Sequence, residues 1–259
     1  MTLAQLAVQD HTGDPSTFPS LTDLIVGPGF KDAFVPAYPT KQDSPVAESA
    51  YEGRNLREID FDTEGKGLKL GRCKAFDFYG DGSLFLLDTP GHAIGHICAL
   101  ARTSADPDEF MYLGGDIAHH GGEFRPTQWL PLPEQIDPSP VQPPYKSKTV
   151  CPGAVFESIH PKKSSTEPFV IPATVNAMHK DGNEAKETID KMTEFDAYDN
   201  VLTVIAHDES LYDVVDFYPK PANGWKKKQW REEGLWRFLR DFEHPDKDYQ
   251  ANWTPSVRP

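Results

Sequence analysis

The stretch Leu84-Phe-Leu-Leu-Asp-Thr-Pro-Gly-His-Ala-Ile-Gly-His96 decides the fold. It begins as a continuous apolar run, which is typical of a buried strand, and it ends in a loop that carries two histidines. Two other segments have the same form, since residues 110–113 lead into Gly-Gly-Asp116 and residues 201–206 lead into His207. Strand ends hold side chains rigidly and leave them accessible. The three ends therefore predict a site built from imidazoles and carboxylates, the ligand set of a zinc-type centre.

The sequence around these strand ends predicts an α/β layered fold with mixed sheets. Residues 74–79 and 84–88 flank a Gly80-Asp-Gly-Ser83 turn and predict a hairpin. Apolar side chains at i, i+4 and i+7 predict an amphipathic helix over residues 183–195. The remaining predicted elements are strands over residues 23–26, 58–61, 97–101, 110–113 and 201–206, and a helix over residues 225–242.

The chain of 259 residues is long enough for one large domain with a sizeable core. Residues 126–152 are rich in proline, which predicts an extended excursion packed on that domain. Strand and helix patterns resume after this segment without a change of character. We therefore predict a single domain over residues 1–259 and do not interpret the segment as a linker.

Composition and charge exclude several classes of function. The net charge of −14 would repel a phosphate backbone or an anionic membrane, which argues against a nucleic-acid partner and a membrane partner. The apolar runs are far shorter than a membrane helix requires. Three cysteines without CxxC spacing argue against a disulfide framework, and the first residues lack the features of a secretory signal. These observations predict a cytoplasmic protein.

The motif Thr89-Pro-Gly-His-Ala-Ile-Gly-His96, followed by Asp116 and by His207 at a strand end, resembles the later motifs of the metallo-β-lactamase superfamily, especially its lactonase-like branch. Upstream, Asp10-His11-Thr-Gly-Asp14 is similar to the tail of the family's first motif, HxHxDH. The resemblance implies an αββα sandwich. It also implies that Asp10, His11, His96, Asp116 and His207 are metal ligands, with Asp116 shared by two metals in intact relatives, and that His92 is a structural or supporting residue.

The first motif departs from the family pattern at two positions. Leu6 and Val8 stand where the family has histidines, and neither side chain can bind a metal. The resemblance then implies one complete zinc site of Asp10, His11, Asp116 and His207, against two zinc ions in intact relatives. Because the family's domain normally begins well before this motif, we also expect a sandwich that is truncated at its N-terminus.

The implied activity is zinc-dependent hydrolysis of a small lactone or lactam, a secondary metabolite or xenobiotic, by metal-bound hydroxide. Asp10 would accept the proton of the attacking water. His119 stands three residues after Asp116, where lactonases of this group often carry a tyrosine that contacts the substrate oxygen, so it would donate a similar hydrogen bond.

Two alternatives stay open at this stage. One is a glyoxalase-II-like thioesterase, which normally needs both metals. The other, favoured by Leu6 and Val8, is a catalytically inactive remnant or a structural partner of an intact paralogue. A sandwich that lacks part of one sheet would expose strand edges, which favours a homo-oligomer or a paralogue partner.

Overall fold

The structure is a computed structural model, and it describes residues 2–4, 13–140, 150–172 and 179–242. The chain divides into two compact units. The first comprises residues 1–118 and 172–206, and the second comprises residues 119–171 and 207–259. The single domain expected over residues 1–259 stays a prediction.

Two sheets form the first unit. The smaller sheet has three parallel strands in the order β1 (Thr2–Ala4), β2 (Asp23–Val26) and β3 (Leu56–Glu58). The larger sheet has the order β11-β8-β7-β6-β5-β4, with β4 (Lys69–Leu70), β5 (Cys73–Asp77), β6 (Leu84–Asp88), β7 (Ile97–Ala105), β8 (Asp108–Leu113) and β11 (Val201–Val204). Strand β11 pairs with β8 in parallel, whereas the other pairs of this sheet are antiparallel.

The predicted strands are confirmed with one shift. The β5 and β6 hairpin forms as expected, and the Asp77 carboxylate accepts hydrogen bonds from the backbone N–H groups of Gly80 and Gly82, which stabilises the turn. The strand expected over residues 58–61 lies earlier, at Leu56–Glu58. Ile59 and Phe61 are nevertheless buried in the core. The apolar pattern of this segment therefore reflects burial and does not reflect pairing with another strand.

The layers of the first unit follow from the alternation of side chains along its strands. On β2, Leu24 and Val26 pack against Phe30 of helix α1 (Phe30–Phe34), whereas Ile25 faces the larger sheet and packs against Leu86. On the far face of the larger sheet, the Tyr112 ring lies 5.2 Å from the ring of Phe195 on helix α3 (Gly182–Asp196). The order helix, sheet, sheet, helix is the αββα arrangement expected from the resemblance.

Helix α3 confirms the prediction over residues 183–195 and is fixed at both ends. The Asp181 carboxylate caps its N-terminus by accepting from the backbone N–H groups of Asn183 and Glu184. Near its C-terminal end, Arg72 pairs with Asp190 and Glu194 and ties the helix to the start of β5.

The second unit is built from short elements. They are β9 (Gln135–Ile136) paired with β10 (Cys151–Pro152), helices α2 (Gly153–Ile159) and α4 (Trp230–Gly234), and 3-10 helices at Gly121–Glu123, Glu209–Leu211 and Arg237–Phe242. Its core includes Phe156, Phe169 and Phe238. The proline-rich segment contributes Leu132 and Ile136 to this core, while residues 141–149 lie outside the described residues. Among the residues described, none of the helices has the length and apolarity to cross a lipid bilayer.

The helix expected over residues 225–242 is wrong as a single element. The structure has a short α-helix and a separate 3-10 helix, divided after Gly234. Glycine is a poor helix former, and Leu211 Cδ2 packs closely against Gly234, 2.5 Å from where a Cβ would lie. The apolar stripe that suggested the helix is buried all the same, as Trp230 and Leu239 show.

The loop after β6 approaches the start of α3 so closely that only glycine fits at position 91. Gly91 has φ +118°, and a Cβ there would lie 2.2 Å from the backbone nitrogen of Ala185. We expect Gly91→Ala to lower the free energy of unfolding by about 1–3 kcal/mol more than Gly80→Ala does. Gly80 also has a positive φ, +75°, but an added Cβ meets nothing within 4 Å, so it controls for backbone strain. Urea denaturation of both variants measures the difference, and equal losses would contradict it.

Candidate metal centre

The candidate site residues of the first unit lie where its central strands end. Strand β6 leads into the loop from Thr89 to His96, and β8 leads through two glycines to Asp116. The loops after β8 and β11 are joined by hydrogen bonds from Gly114 N to the Val204 carbonyl and from Ala206 N to the Gly115 carbonyl, both 2.8 Å. Rigid sheet hydrogen bonding thus fixes the backbone from which these side chains project.

His96 has the properties of a metal ligand. Its side chain is buried, and Nδ1–H donates to the Thr89 carbonyl at 2.8 Å, which leaves the lone pair on Nε2. Nε2 is buried and has no hydrogen-bond partner among the residues that the structure describes. Burial also lowers the pKa of His96, so the imidazole is neutral at neutral pH. A neutral imidazole whose second nitrogen is held by a carbonyl is the usual form of a histidine ligand, so this residue fits a metal.

Asp116 and His92 lie beside His96 in the first unit. Asp116 is 1% exposed, and its Oδ2 lies 3.9 Å from His92 Nε2. Burial lowers the pKa of His96, and the nearby negative charge of Asp116 partly offsets this effect. The rings of His92 and His96 lie 5.8 Å apart. The structure therefore brings the predicted ligands His96 and Asp116 together, with His92 in contact with both.

His179 was missed by the sequence analysis. It lies in a loop two residues before the cap of α3, and its Nδ1 is 3.3 Å from His92 Nδ1. Burial lowers the pKa of His179, while the nearby Asp116 acts in the opposite direction. The only signal in the sequence was an isolated imidazole next to a helix start, and such a pattern does not point to a particular partner.

A buried network connects His96 to the neighbouring strand ends. The Thr89 hydroxyl, 3.1 Å from His96 Nδ1, donates to Cys98 Sγ at 3.2 Å, and the Cys98 thiol donates to the Gly114 carbonyl at 3.2 Å. Burial raises the pKa of Cys98 to about 12, so the thiol keeps its proton and acts as a donor. The network gives the buried Cys98 a positioning role for the loop that carries His96.

In the second unit, His119 and His207 stack with ring centres 5.0 Å apart. His119 is buried, whereas His207 is exposed. Glu123, which the sequence analysis also missed, is buried, and its Oε2 accepts from the His119 backbone N–H at 3.1 Å. Burial raises the pKa of Glu123 to about 7. Its proximity to His119 was not visible because a lone glutamate in a glycine-rich turn is usually exposed.

His120 has a structural role. Its Nδ1 accepts from the backbone N–H of Gly122 at 3.0 Å, and its Nε2 lies 3.1 Å from an Asp241 carboxylate oxygen. The side chain therefore caps the 3-10 helix at Gly121–Glu123 and ties it to the 3-10 helix at Arg237–Phe242. With both ring nitrogens engaged in this way, His120 is not placed as a ligand.

The first motif lies outside the described residues. Asp10 and His11, together with Leu6 and Val8, fall within residues 5–12, for which no structure is described. The ligand set of Asp10, His11, His96, Asp116 and His207, and the catalytic roles of Asp10 and His119, stay predictions.

The network through Cys98 predicts a specific effect on metal binding. Cys98→Val removes both hydrogen bonds of the thiol and is expected to weaken zinc affinity by about 10-fold, since supporting residues typically contribute that much. Cys98→Ser keeps a donor and an acceptor and should retain most of the affinity. Cys73→Val makes the same change at another buried cysteine of the same sheet, on β5, and should leave the affinity unchanged. Titration against a chromogenic chelator measures all three, and equal effects of the two valine variants would overturn the assignment.

Glu123 predicts a pH dependence of stability in the metal-free protein. In the folded state the carboxyl keeps its proton up to pH about 7, whereas the unfolded chain loses it near 4.5. The folded state therefore binds the extra proton, and this group's contribution to the free energy of unfolding falls by about 3 kcal/mol as pH rises between those values. Glu123→Gln should abolish this slope. Glu134→Gln, at an exposed position of the same unit, controls for the lost charge. Denaturation series at several pH values test it, and an unchanged slope in Glu123→Gln would refute it.

Comparisons with known proteins place the chain in a family. No family model matches it. The solved structure of an N-acyl homoserine lactone hydrolase covers 78% of this chain and 53% of its own length at 14% identity, with a TM-score of 0.43. A gamma-lactamase of Fusarium pseudograminearum is 53% identical over 93% of this chain and 58% of that protein. A metallo-hydrolase of Annulohypoxylon moriforme is 45% identical over 90% of the chain and 59% of that protein.

The chain thus spans a little under three fifths of these two relatives, at 58% and 59% of their lengths. A second gamma-lactamase, from Gibberella moniliformis, is 57% identical over 71% of the chain and 75% of that protein. The chain belongs to the lactonase-like branch of the metallo-β-lactamase superfamily.

Proposed function

We propose that this chain is a metal-dependent hydrolase that opens the ring of a small cyclic amide or ester, with zinc as its metal. The observation that carries the proposal is His96, whose Nδ1–H is held by the Thr89 carbonyl while its buried Nε2 has no hydrogen-bond partner among the described residues. Two relatives carry the name gamma-lactamase and one the name metallo-hydrolase, which supports the same class of reaction.

The residues that would hold zinc are Asp10, His11, His96, Asp116 and His207. When bound, zinc would polarise the ring carbonyl and lower the pKa of a bound water. Asp10 would accept the proton of the attacking water and return it to the leaving group. His119 would donate a hydrogen bond to the substrate oxygen. Its buried ring, stacked on His207, is held in one orientation, as such a donor requires.

The substrate would be a small molecule, a lactam or lactone of the secondary-metabolite or xenobiotic kind. The net charge of −14 disfavours anionic polymers as substrates. Buried thiols at Cys73 and Cys98 are consistent with a cytoplasmic location, which is part of this proposal.

A second candidate follows from Leu6 and Val8. Without two histidines of the first motif, the chain would be an inactive remnant or a structural partner of an intact paralogue or of a second copy. It would fold and would not turn over substrate. A glyoxalase-II-like thioesterase has less support, because none of the three relatives named above carries the name of a thioesterase.

Zinc content and turnover distinguish the candidates. We expect the purified chain to bind at least one zinc ion by mass spectrometry of the metal and to hydrolyse members of a panel of γ-lactams and lactones. Asp116→Asn should abolish turnover, since it removes the negative charge that a ligand carboxylate supplies to the metal. Asp32→Asn, at an exposed position on α1, is the matched control and should keep wild-type turnover. A folded chain that binds no zinc and hydrolyses nothing supports the remnant, and turnover of thioesters without lactams or lactones supports the thioesterase.

A further inference from the structure

His92 and His179 are brought together by backbone hydrogen bonds, although 87 residues separate them. Lys180 N donates to the His92 carbonyl at 2.8 Å, and Asp181 N donates to the Gly91 carbonyl at 2.9 Å. The close approach of α3 at Gly91 and the Asp181 cap hold the two segments in register. The imidazoles therefore meet on a rigid frame, as a built site requires.

The spacing of their ring nitrogens fits a shared metal ion. Nδ1 of His92 and Nδ1 of His179 are joined by a hydrogen bond of 3.3 Å, whose proton a metal ion would replace, and the rings are nearly perpendicular, at 81°. Two nitrogen ligands at about 2.0–2.1 Å from a tetrahedral ion lie roughly 3.3–3.4 Å from each other. The pair already has this separation, so a metal could be bound with little movement of either side chain.

The neighbouring charge favours the tautomer that such binding needs. Asp116 Oδ2 faces His92 Nε2 at 3.9 Å, which favours a proton on Nε2 and makes Nδ1 the acceptor in the hydrogen bond between the two rings, the nitrogen through which a metal would bind. A divalent cation between the rings would also be attracted by this buried negative charge.

We propose that His92 and His179 bind a divalent transition-metal ion through their Nδ1 atoms, next to Asp116. This position would replace the one that the chain loses through Leu6 and Val8, so that the chain keeps two metals with a different set of histidines. The inference rests on the proposed function, because it assumes that the chain is a metallo-hydrolase. Two imidazole ligands leave coordination positions for water or substrate.

Cobalt titration of the full metal-free chain tests the proposal without measuring activity. We expect two Co²⁺ ions for the wild type. His179→Gln should bind one, with affinity for the other lowered at least roughly 100-fold, because a ligand is lost outright. His179→Cys should restore the second ion and add a thiolate-to-cobalt charge-transfer band, which a purely structural role of His179 would not produce. Thermal unfolding checks that both variants are folded.

His207→Gln separates this proposal from the proposed function, since His207 belongs to the other predicted ligand set. If His179→Gln loses one ion and His207→Gln loses a different one, both this inference and the proposed ligand set are supported. One ion that depends on His179 and not on His207 supports this inference and refutes that ligand set. One ion that depends on His207 and is unaffected by His179→Gln overturns the inference and leaves the proposed function standing. A wild type that binds no cobalt overturns both.

Discussion

The hydrogen bond from His96 Nδ1–H to the Thr89 carbonyl is the constraint on which the site of the first unit depends. It fixes the tautomer and turns the buried Nε2 into a lone-pair donor with no hydrogen-bond partner among the described residues. Burying such an atom costs free energy unless a partner is supplied, and the proposed metal ion would be that partner. The hydrogen bonds from Thr89 to Cys98 and from Cys98 to the Gly114 carbonyl stabilise the loop that carries His96. The orientation of the His96 ring therefore depends on the ends of β6 and β8 and on the start of β7.

The layers of the first unit explain how those strand ends stay in place. Ile25 and Leu86 join the two sheets, and Tyr112 and Phe195 join the larger sheet to α3. The central strands are buried over Leu86–Leu87 of β6 and Ile97–Leu100 of β7, and the loops that carry the histidines adjoin these apolar stretches. This is why the histidines and carboxylates follow the apolar runs so directly.

Helix α3 contributes more than packing. Its capped start brings His179 to His92 and requires glycine at position 91. A helix that belongs to the scaffold therefore also delivers an imidazole to the edge of the site. The buried Glu123 has a comparable position beside His119 in the second unit, where burial raises its pKa to about 7. His179 and Glu123 thus each make a hydrogen bond within the fold and each have a pKa that burial shifts.

The sequence by itself determined the strands at the centre of the larger sheet and the helix predicted over residues 183–195, and it singled out His96 and Asp116, which the structure brings close together. These features are local, because apolar periodicity, a cap and a motif each lie within a short stretch. Only the tertiary structure decided the pairing of His92 with His179, the burial of Glu123 and the break after Gly234. Each of these depends on contacts between residues distant in the chain or on close packing against another element, which no local pattern records.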